Sequence, residues 1–393
     1  MDLDALKAGL RRQVADLGDV LVDVAHQIHE RPELGFEEHF AHRLLTSVIE
    51  ERGVDVVRGA HDLPTAFVAD AGTEGPLVAV CCEYDALPGI GHACGHNVIA
   101  AAGLGAGLAL AALAAEAGGR VRILGTPAEE GGGGKVLLAE RGALEGVDAA
   151  MMVHPAGVDL ATMDVIAASQ LEVEYHGRAA HAAAFPHLGA NALDAAVLGY
   201  VSVAALRQHI EGSERVHGVF VKGGDKPNIV PDHTTMEWMV RSARAASLAP
   251  LRERVVACLR SGADAAGCGF EHRLSAPDYA DMVDNPALVE LYRANSAALG
   301  RVVAREAPSP EVRVVGSTDM GNVSYVVPSI HPLVKVAPGG VPIHSPGFAD
   351  HARSATADRA VLDGAMALAM TAADLWADPG ALAGVRSSFA PPS

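Results

Sequence analysis

Cys94 and His96 stand two residues apart in a glycine-rich stretch, Gly91 to Asn97, that runs into a helical segment. A thiolate and an imidazole so placed can face one ion, and both are borderline-to-soft donors suited to zinc and its neighbours. His92 is a rival donor in the same turn. The plainer reading of the stretch is a buried cysteine beside a helix-capping histidine. Glu129 and Glu130 are adjacent carboxylates in an otherwise apolar neighbourhood, followed by glycines from Gly131 to Gly134. Like charges repel and desolvation is costly, and a nearby cation relieves both. One of the pair can coordinate metal while its neighbour acts as a base. The glycines also suggest a phosphate loop. That fails because Lys135 is followed by Val136, not Ser or Thr, and because two glutamates would repel phosphate.

His154 follows the apolar run Met151 to Val153, and His344 lies far away between Val341 and Phe348. Either histidine alone reads as structural. Taken together, two carboxylates, one thiolate and three imidazoles supply enough donors for two ions. A further polar set occurs later. His181 sits in a small-residue loop, Asn228 in a rigid turn between Lys226 and Pro231, and Arg241 at a strand end. This set lacks the character of a metal site. It is suited to clamping an anionic substrate end, with Arg241 able to hold a carboxylate bidentately. The bland reading of each is a surface loop.

These side chains need elements to bring them together. Apolar runs at Pro76–Cys82, Arg120–Gly125 and Ala149–Val153 each end on polar residues, with helical segments at Asn97–Ala117 and Gly134–Arg141 between them. Alternating strands and helices predict a mostly parallel α/β sheet. Ligands in such sheets sit beyond the carboxyl ends of the strands, which is where the metal-type residues fall. Leu3–Arg31 reads as one helix ended by Pro32, and Glu37–Arg52 as another. From about Ala168 to Ala276 the pattern becomes strand, helix, strand, strand, helix, strand. That order predicts a small inserted α+β sheet with both helices on one face. The expected domains are therefore 1–167 and 277–393 for the main body and 168–276 for the insertion. A closing helix follows at Ala357–Ala377, and Arg386–Ser393 reads as a frayed tail.

The chain has 393 residues, half of them hydrophobic, enough for two domains or one domain with a large insertion. A formal net charge of −18 excludes non-specific binding to nucleic acid or to anionic membranes. The Ala-rich stretch Val98–Ala115 is interrupted by Gly103, Gly105 and Gly107, and packing against a neighbouring domain face explains it better than a membrane span does. Five cysteines, an odd and small number, fit a reducing compartment, and the charged N-terminal segment lacks the apolar core of a signal peptide. A cytoplasmic location is the expectation.

Read in order, several motifs resemble the two-metal peptidase family of aminoacylases and carboxypeptidase G-type enzymes, in its amino-acid-conjugate amidohydrolase branch. The stretches are Glu83–Gly89, Gly91–Asn97, Pro127–Gly134, Gly177–Ala184, Asn228–Asp232, Gly316–Ser324 and His344–Pro346, and they cover nearly the whole chain. Within the family the chain is most similar to the branch holding p-aminobenzoyl-glutamate hydrolase and the β-alanyl-lysine type dipeptidases. The resemblance implies a catalytic domain split by a ferredoxin-like lid that also makes a homodimer. It implies two divalent ions, zinc or manganese with cobalt as an alternative, held by Cys94, His96, Glu130, His154 and His344. It implies Glu129 as general base, Asp85 as an acidic group orienting a ligand, and His181 as a lid histidine that reaches the partner subunit's active site. Asn228 and Arg241 match lid positions that contact a substrate carboxylate. Glu83 departs from the pattern, standing where distant members have a histidine ligand. The Cys94 and His96 pair replaces that ligand.

The implied reaction is hydrolysis of the amide bond of an N-acyl amino acid or small dipeptide, with ions acidifying a water and Glu129 removing its proton. Hydrolysis of a carbamoyl or other non-peptide amide at the same site is one alternative. A catalytically silent metal- or ligand-binding protein is another, and a base beside a full ligand set argues against it.

Overall fold

The computed structural model describes residues 2–307 and 315–390. The chain divides into two compact units, one made of Met1–Asp164 and Met282–Ser393, the other of Val165–Asp281.

In the first unit the strand Leu77–Cys82 is buried at every position, as its unbroken apolar run requires of a strand covered on both faces. It lies within a six-stranded sheet ordered Val57–Arg58, Phe67–Ala71, Arg120–Gly125, Leu77–Cys82, Ala149–Met151, Ser329–Ile330. The first two junctions are antiparallel and the other three parallel. The sheet is thus a mixed α/β sheet with a mostly parallel centre. Val78, Val80 and Cys82 point into one core with the helices Leu3–Asp16, Gly18–Glu30, His96–Ala117 and Ala355–Ala377. Leu77, Ala79 and Cys81 point into the opposite core, which includes residues of the helices Gly134–Glu140 and Met320–Ser324.

Three expectations change here. The first helix is two helices broken at Leu17, whose helical φ/ψ and side chain without a capping hydrogen bond leave no polar mark in the sequence. The Ala-rich helix His96–Ala117 packs inside its own unit rather than against another domain. A Cβ at Gly103 would lie 2.7 Å from the Cys81 carbonyl oxygen, and one at Gly107 2.5 Å from Ile123. It and Ala355–Ala377 are long and apolar enough to cross a membrane, and both are mostly buried within the fold. Finally, Arg386 and Ser387 complete the helix Pro379–Ser387, with Arg386 paired to Asp148. The end of the expected tail, 391–393, lies outside the described residues.

The second unit carries a four-stranded antiparallel sheet ordered Gly269–Leu274, Ala167–His176, His233–Ser242, Arg215–Lys222. Leu171, Val173, Tyr175, Met236, Trp238 and Val240 share a core with the helices Ala192–Leu206 and Ala245–Ala266. Those helices touch closely at Gly262, where a Cβ would come within 2.5 Å of the Gly199 nitrogen.

Candidate metal centre

Four neighbouring parallel strands of the first unit end on polar residues. Cys82 leads to Glu83 and Asp85, Gly125 to Glu129 and Glu130, Met151 to His154, and Ile330 to His331. The same sheet geometry that buries the strands therefore places these side chains along one edge. Cys94 and His96 join them from the start of the helix His96–Ala117. Gly95 between them has φ +83°, and a Cβ there would lie 2.8 Å from Pro155 Cγ. Only glycine fits that turn.

His96 is fully buried. Its Nδ1 bonds Asp85 Oδ1 at 2.9 Å, which fixes the ring, while Asp85 Oδ2 accepts from the Glu130 amide at 2.9 Å. Its Nε2 is buried without a hydrogen-bond partner and faces Glu83, Glu129 and Glu130 oxygens at 3.4, 3.8 and 3.9 Å. Cys94 Sγ lies 3.3 Å from His154 Nε2, whose other ring nitrogen lies 2.8 Å from the Pro155 carbonyl. His344 Nε2 lies 3.3 Å from Glu130 Oε1. Ala128 and His344 both adopt left-handed backbone, φ +57° and +65°, which costs a non-glycine residue on the order of 1–3 kcal/mol. Strain at the residue before Glu129 and at His344 marks a site held by its surroundings.

Several groups here can hold a metal ion, each with donor atoms within 4.8 Å of one another: Cys94, His96 and His154; Cys94, Glu130 and His344; His96, Glu129 and Glu130. Cys94 belongs to two of them. The donors fit a borderline divalent cation, since they combine thiolate, imidazole and carboxylate, and the buried His96 Nε2 needs a partner. A fourth group, Glu83, Glu129 and Asp319, already faces a cation. The Lys135 ammonium lies 2.5 Å from Glu83 Oε1 and 2.6 Å from Asp319 Oδ1.

The electrostatics separate the two adjacent glutamates. Burial, with the Glu83 and Glu130 charges, pushes the Glu129 carboxyl well above its ordinary range. Burial pushes Glu130 the same way, but the His344 hydrogen bond and the His96 charge outweigh it and hold Glu130 low. Burial raises the Cys94 thiol, and a bound cation would reverse that by favouring thiolate.

The structure thus brings Cys94, His96, Glu129, Glu130, His154, His344 and Asp85 into one cluster. His181, Asn228 and Arg241 lie in the second unit. There His181 bridges Ile229, the Ala182 amide donates to the Asn228 carbonyl at 3.1 Å, and Arg241 sits half-buried opposite Ala168. Lys135, which the sequence brings forward only to exclude a phosphate loop, and Asp319, within the Gly316–Ser324 motif, carry no sequence sign of their pairing. His331 was not singled out from sequence, and its ring centroid lies 5.2 Å from that of His154. Its signal was the one used for His154, an apolar strand ending on a histidine. The rival donor His92 is buried against His29 and belongs to none of the metal-competent groups among the described residues.

A mixed α/β unit whose thiol, imidazole and carboxylate groups meet beyond the strand ends has the build of a metal-dependent hydrolase. Residues 79–369 match Peptidase family M20/M25/M40, and the chain belongs to that family. It is 39% identical to the Xaa-Arg dipeptidase of Mus musculus over 99% of this chain and 93% of that protein. It is 28% identical to one of the subunits of the p-aminobenzoyl-glutamate hydrolase of Escherichia coli (strain K12), covering 92% of this chain and 90% of that one. Among solved structures, a dinuclear metal binding peptidase of the M20 family from Bacillus subtilis superimposes with a TM-score of 0.67 at 21% identity, covering 92% of this chain and 99% of that one. The chain is accordingly a hydrolase of amide C–N bonds.

Proposed function

We propose that the chain hydrolyses N-acyl amino acids or small dipeptides that carry a free carboxylate, using two divalent ions, zinc or manganese with cobalt as an alternative. The observation that carries this reading is the placement of Glu129 and Glu130 in one cluster with Cys94, His96, His154 and His344, where donor atoms of Cys94, Glu130 and His344, and of Cys94, His96 and His154, lie within 4.8 Å of one another. A carboxylate beside such a ligand set is placed to act as a base while its neighbour coordinates. Cys94, His96 and His154 would hold one ion, and Cys94, Glu130 and His344 the other. When bound, the ions supply a Lewis acid that makes water acidic near neutral pH and polarises the amide carbonyl. Glu129 removes the proton of the attacking water and delivers it to the leaving amine. Asp85 fixes the His96 ring through its hydrogen bond. His181 stabilises the developing oxyanion, and Asn228 and Arg241 hold the substrate carboxylate. The names of the mouse and Escherichia coli relatives, one an Xaa-Arg dipeptidase and the other part of a p-aminobenzoyl-glutamate hydrolase, support this substrate class.

The second unit would serve as lid and dimer contact, and the protein as a cytoplasmic homodimer. Exposed Val197, Leu198 and Val201 on one helix and Val219 and Val221 on an edge strand support the contact, and five free cysteines support the compartment.

The test is a hydrolysis screen of N-acyl, p-aminobenzoyl and β-alanyl amides with zinc, manganese and cobalt supplied separately. Glu129→Gln should retain metal while kcat falls about a thousandfold. Wild-type turnover by that variant would remove Glu129 from its role, and metal binding without turnover of any amide would remove the substrate class.

A further inference from the structure

Lys135 is 1% exposed, and a lysine is almost never buried unless paired. Its partners are equally buried. The ammonium lies between Glu83 Oε1 and Asp319 Oδ1, and the Lys135 amide donates to Asp319 Oδ2 at 2.8 Å. One lysine thus grips both oxygens of Asp319, one by side chain and one by backbone. Burying such charges gains little stability over an apolar substitute of the same shape, so this arrangement calls for another reason.

Its location supplies one. A third carboxylate joins these two: the donor oxygen of Glu129 lies within 4.8 Å of those of Glu83 and Asp319. Glu129, Glu130 and Lys135 belong to one loop-to-helix segment. That loop folds tightly on itself, since a Cβ at Gly134 would lie 1.8 Å from the Pro127 carbonyl oxygen. Lys135 ties the end of the loop to Asp319, at the start of the helix Met320–Ser324. It also claims one oxygen of Glu83, leaving the other 3.4 Å from His96 Nε2. Without the ammonium, three carboxylates would crowd together in a buried space and repel.

We infer that Lys135 is a positioning residue: by bridging Glu83 and Asp319 it fixes the wall against which the Glu129 carboxylate is held toward the metal centre. The inference rests on Glu129 being the base, as proposed above. Lys135 itself touches neither substrate nor water in this scheme. It acts through the placement of Glu129, and through keeping Glu83 out of the ligand set.

The test compares Lys135→Met, which keeps the length and removes the charge, with wild type and Glu129→Gln. Metal content, thermal melting, kcat and KM are measured for each. A misplaced catalytic group costs on the order of a hundredfold, so kcat should fall about that much with KM and two bound metals per chain retained. Turnover within a few-fold of wild type would overturn the inference. So would a fall in kcat that tracks lost metal, because Lys135 would then support ion binding instead. Should Lys135→Met not fold, Asp319→Asn removes one anchor and keeps the shape, and the same two results decide. If Glu129→Gln is itself active, the base assignment fails. If Glu129→Gln is inactive and Lys135→Met is active, only the positioning role fails.

Discussion

Glu38 shows how the site's strain is held at the level of single residues. Its carboxylate accepts from the Ala128 amide at 2.8 Å and from Thr65 Oγ1 at 2.7 Å, and so pins the left-handed residue beside Glu129. Burial raises its pKa from 4.5 to about 7. The folded state therefore holds this proton more tightly than the unfolded chain. The stability so contributed is complete below pH 4.5 and is lost as pH rises to about 7. Relative to Glu38→Gln, wild type should lose about 3 kcal/mol at most across that window. Urea unfolding of both proteins at pH 5 and pH 7.5 checks this, and parallel pH profiles would refute it. Gly95 makes a second residue-scale case. Gly95→Ala must displace Pro155 or the turn, at a cost of about 1–3 kcal/mol, and Cys94 and His96 move with it. Metal titration should show weaker binding alongside a lower melting temperature. At this scale the sequence was most legible where donors are close neighbours. Cys94 with His96, and Glu129 with Glu130, announce themselves by adjacency. Lys135 and Asp319 are 184 positions apart, and an isolated lysine after a glycine run carries no sign of the carboxylates it will meet.

The elements were legible in proportion to their burial. Leu77–Cys82 and Arg120–Gly125 stood out because strands covered on both faces must be apolar throughout or nearly so. The break at Leu17 did not, because neither its φ/ψ nor its side chain differs from those of a helix interior in any way that composition reveals. The glycines of His96–Ala117 were visible as interruptions, but their purpose is tertiary. Gly103 and Gly107 let the helix lie directly on the sheet, and Gly105 lets it lie against Leu21 and Ala365 of neighbouring helices, which a sequence cannot show without those partners. Gly103→Val should therefore cost about 1–3 kcal/mol through overpacking against Cys81 and Cys82. Ala112→Val, on the exposed side of the same helix, should change stability by less than about 0.5 kcal/mol. Equal shifts in the urea midpoint would show that the close approach at Gly103 does not control the packing.

At the scale of the whole molecule, the period-two alternation of the second unit revealed its strands, but alternation says nothing about what an outer edge meets. Arg215–Lys222 lies at the edge of its sheet, and Val219 and Val221 on it are 59% and 58% exposed. An uncapped apolar edge strand invites pairing with another strand, and in the proposed homodimer a second copy of the chain would satisfy it symmetrically. Light scattering should then report twice the chain mass, and Val219→Lys with Val221→Lys should give a monomer with reduced turnover. The proposed role of His181 allows a stricter experiment. Glu129→Gln and His181→Ala should each be inactive alone, since one lacks the proposed base and the other the proposed oxyanion donor. In a mixed dimer, the site with Glu129 intact receives the unaltered His181 of the partner subunit. An equal mixture, after subunit exchange, should recover about a quarter of wild-type turnover, because half the dimers are mixed and each has one competent site. Absence of recovery, with mixed dimers verified by tagged chains, would place His181 in the site of its own chain or outside the chemistry altogether.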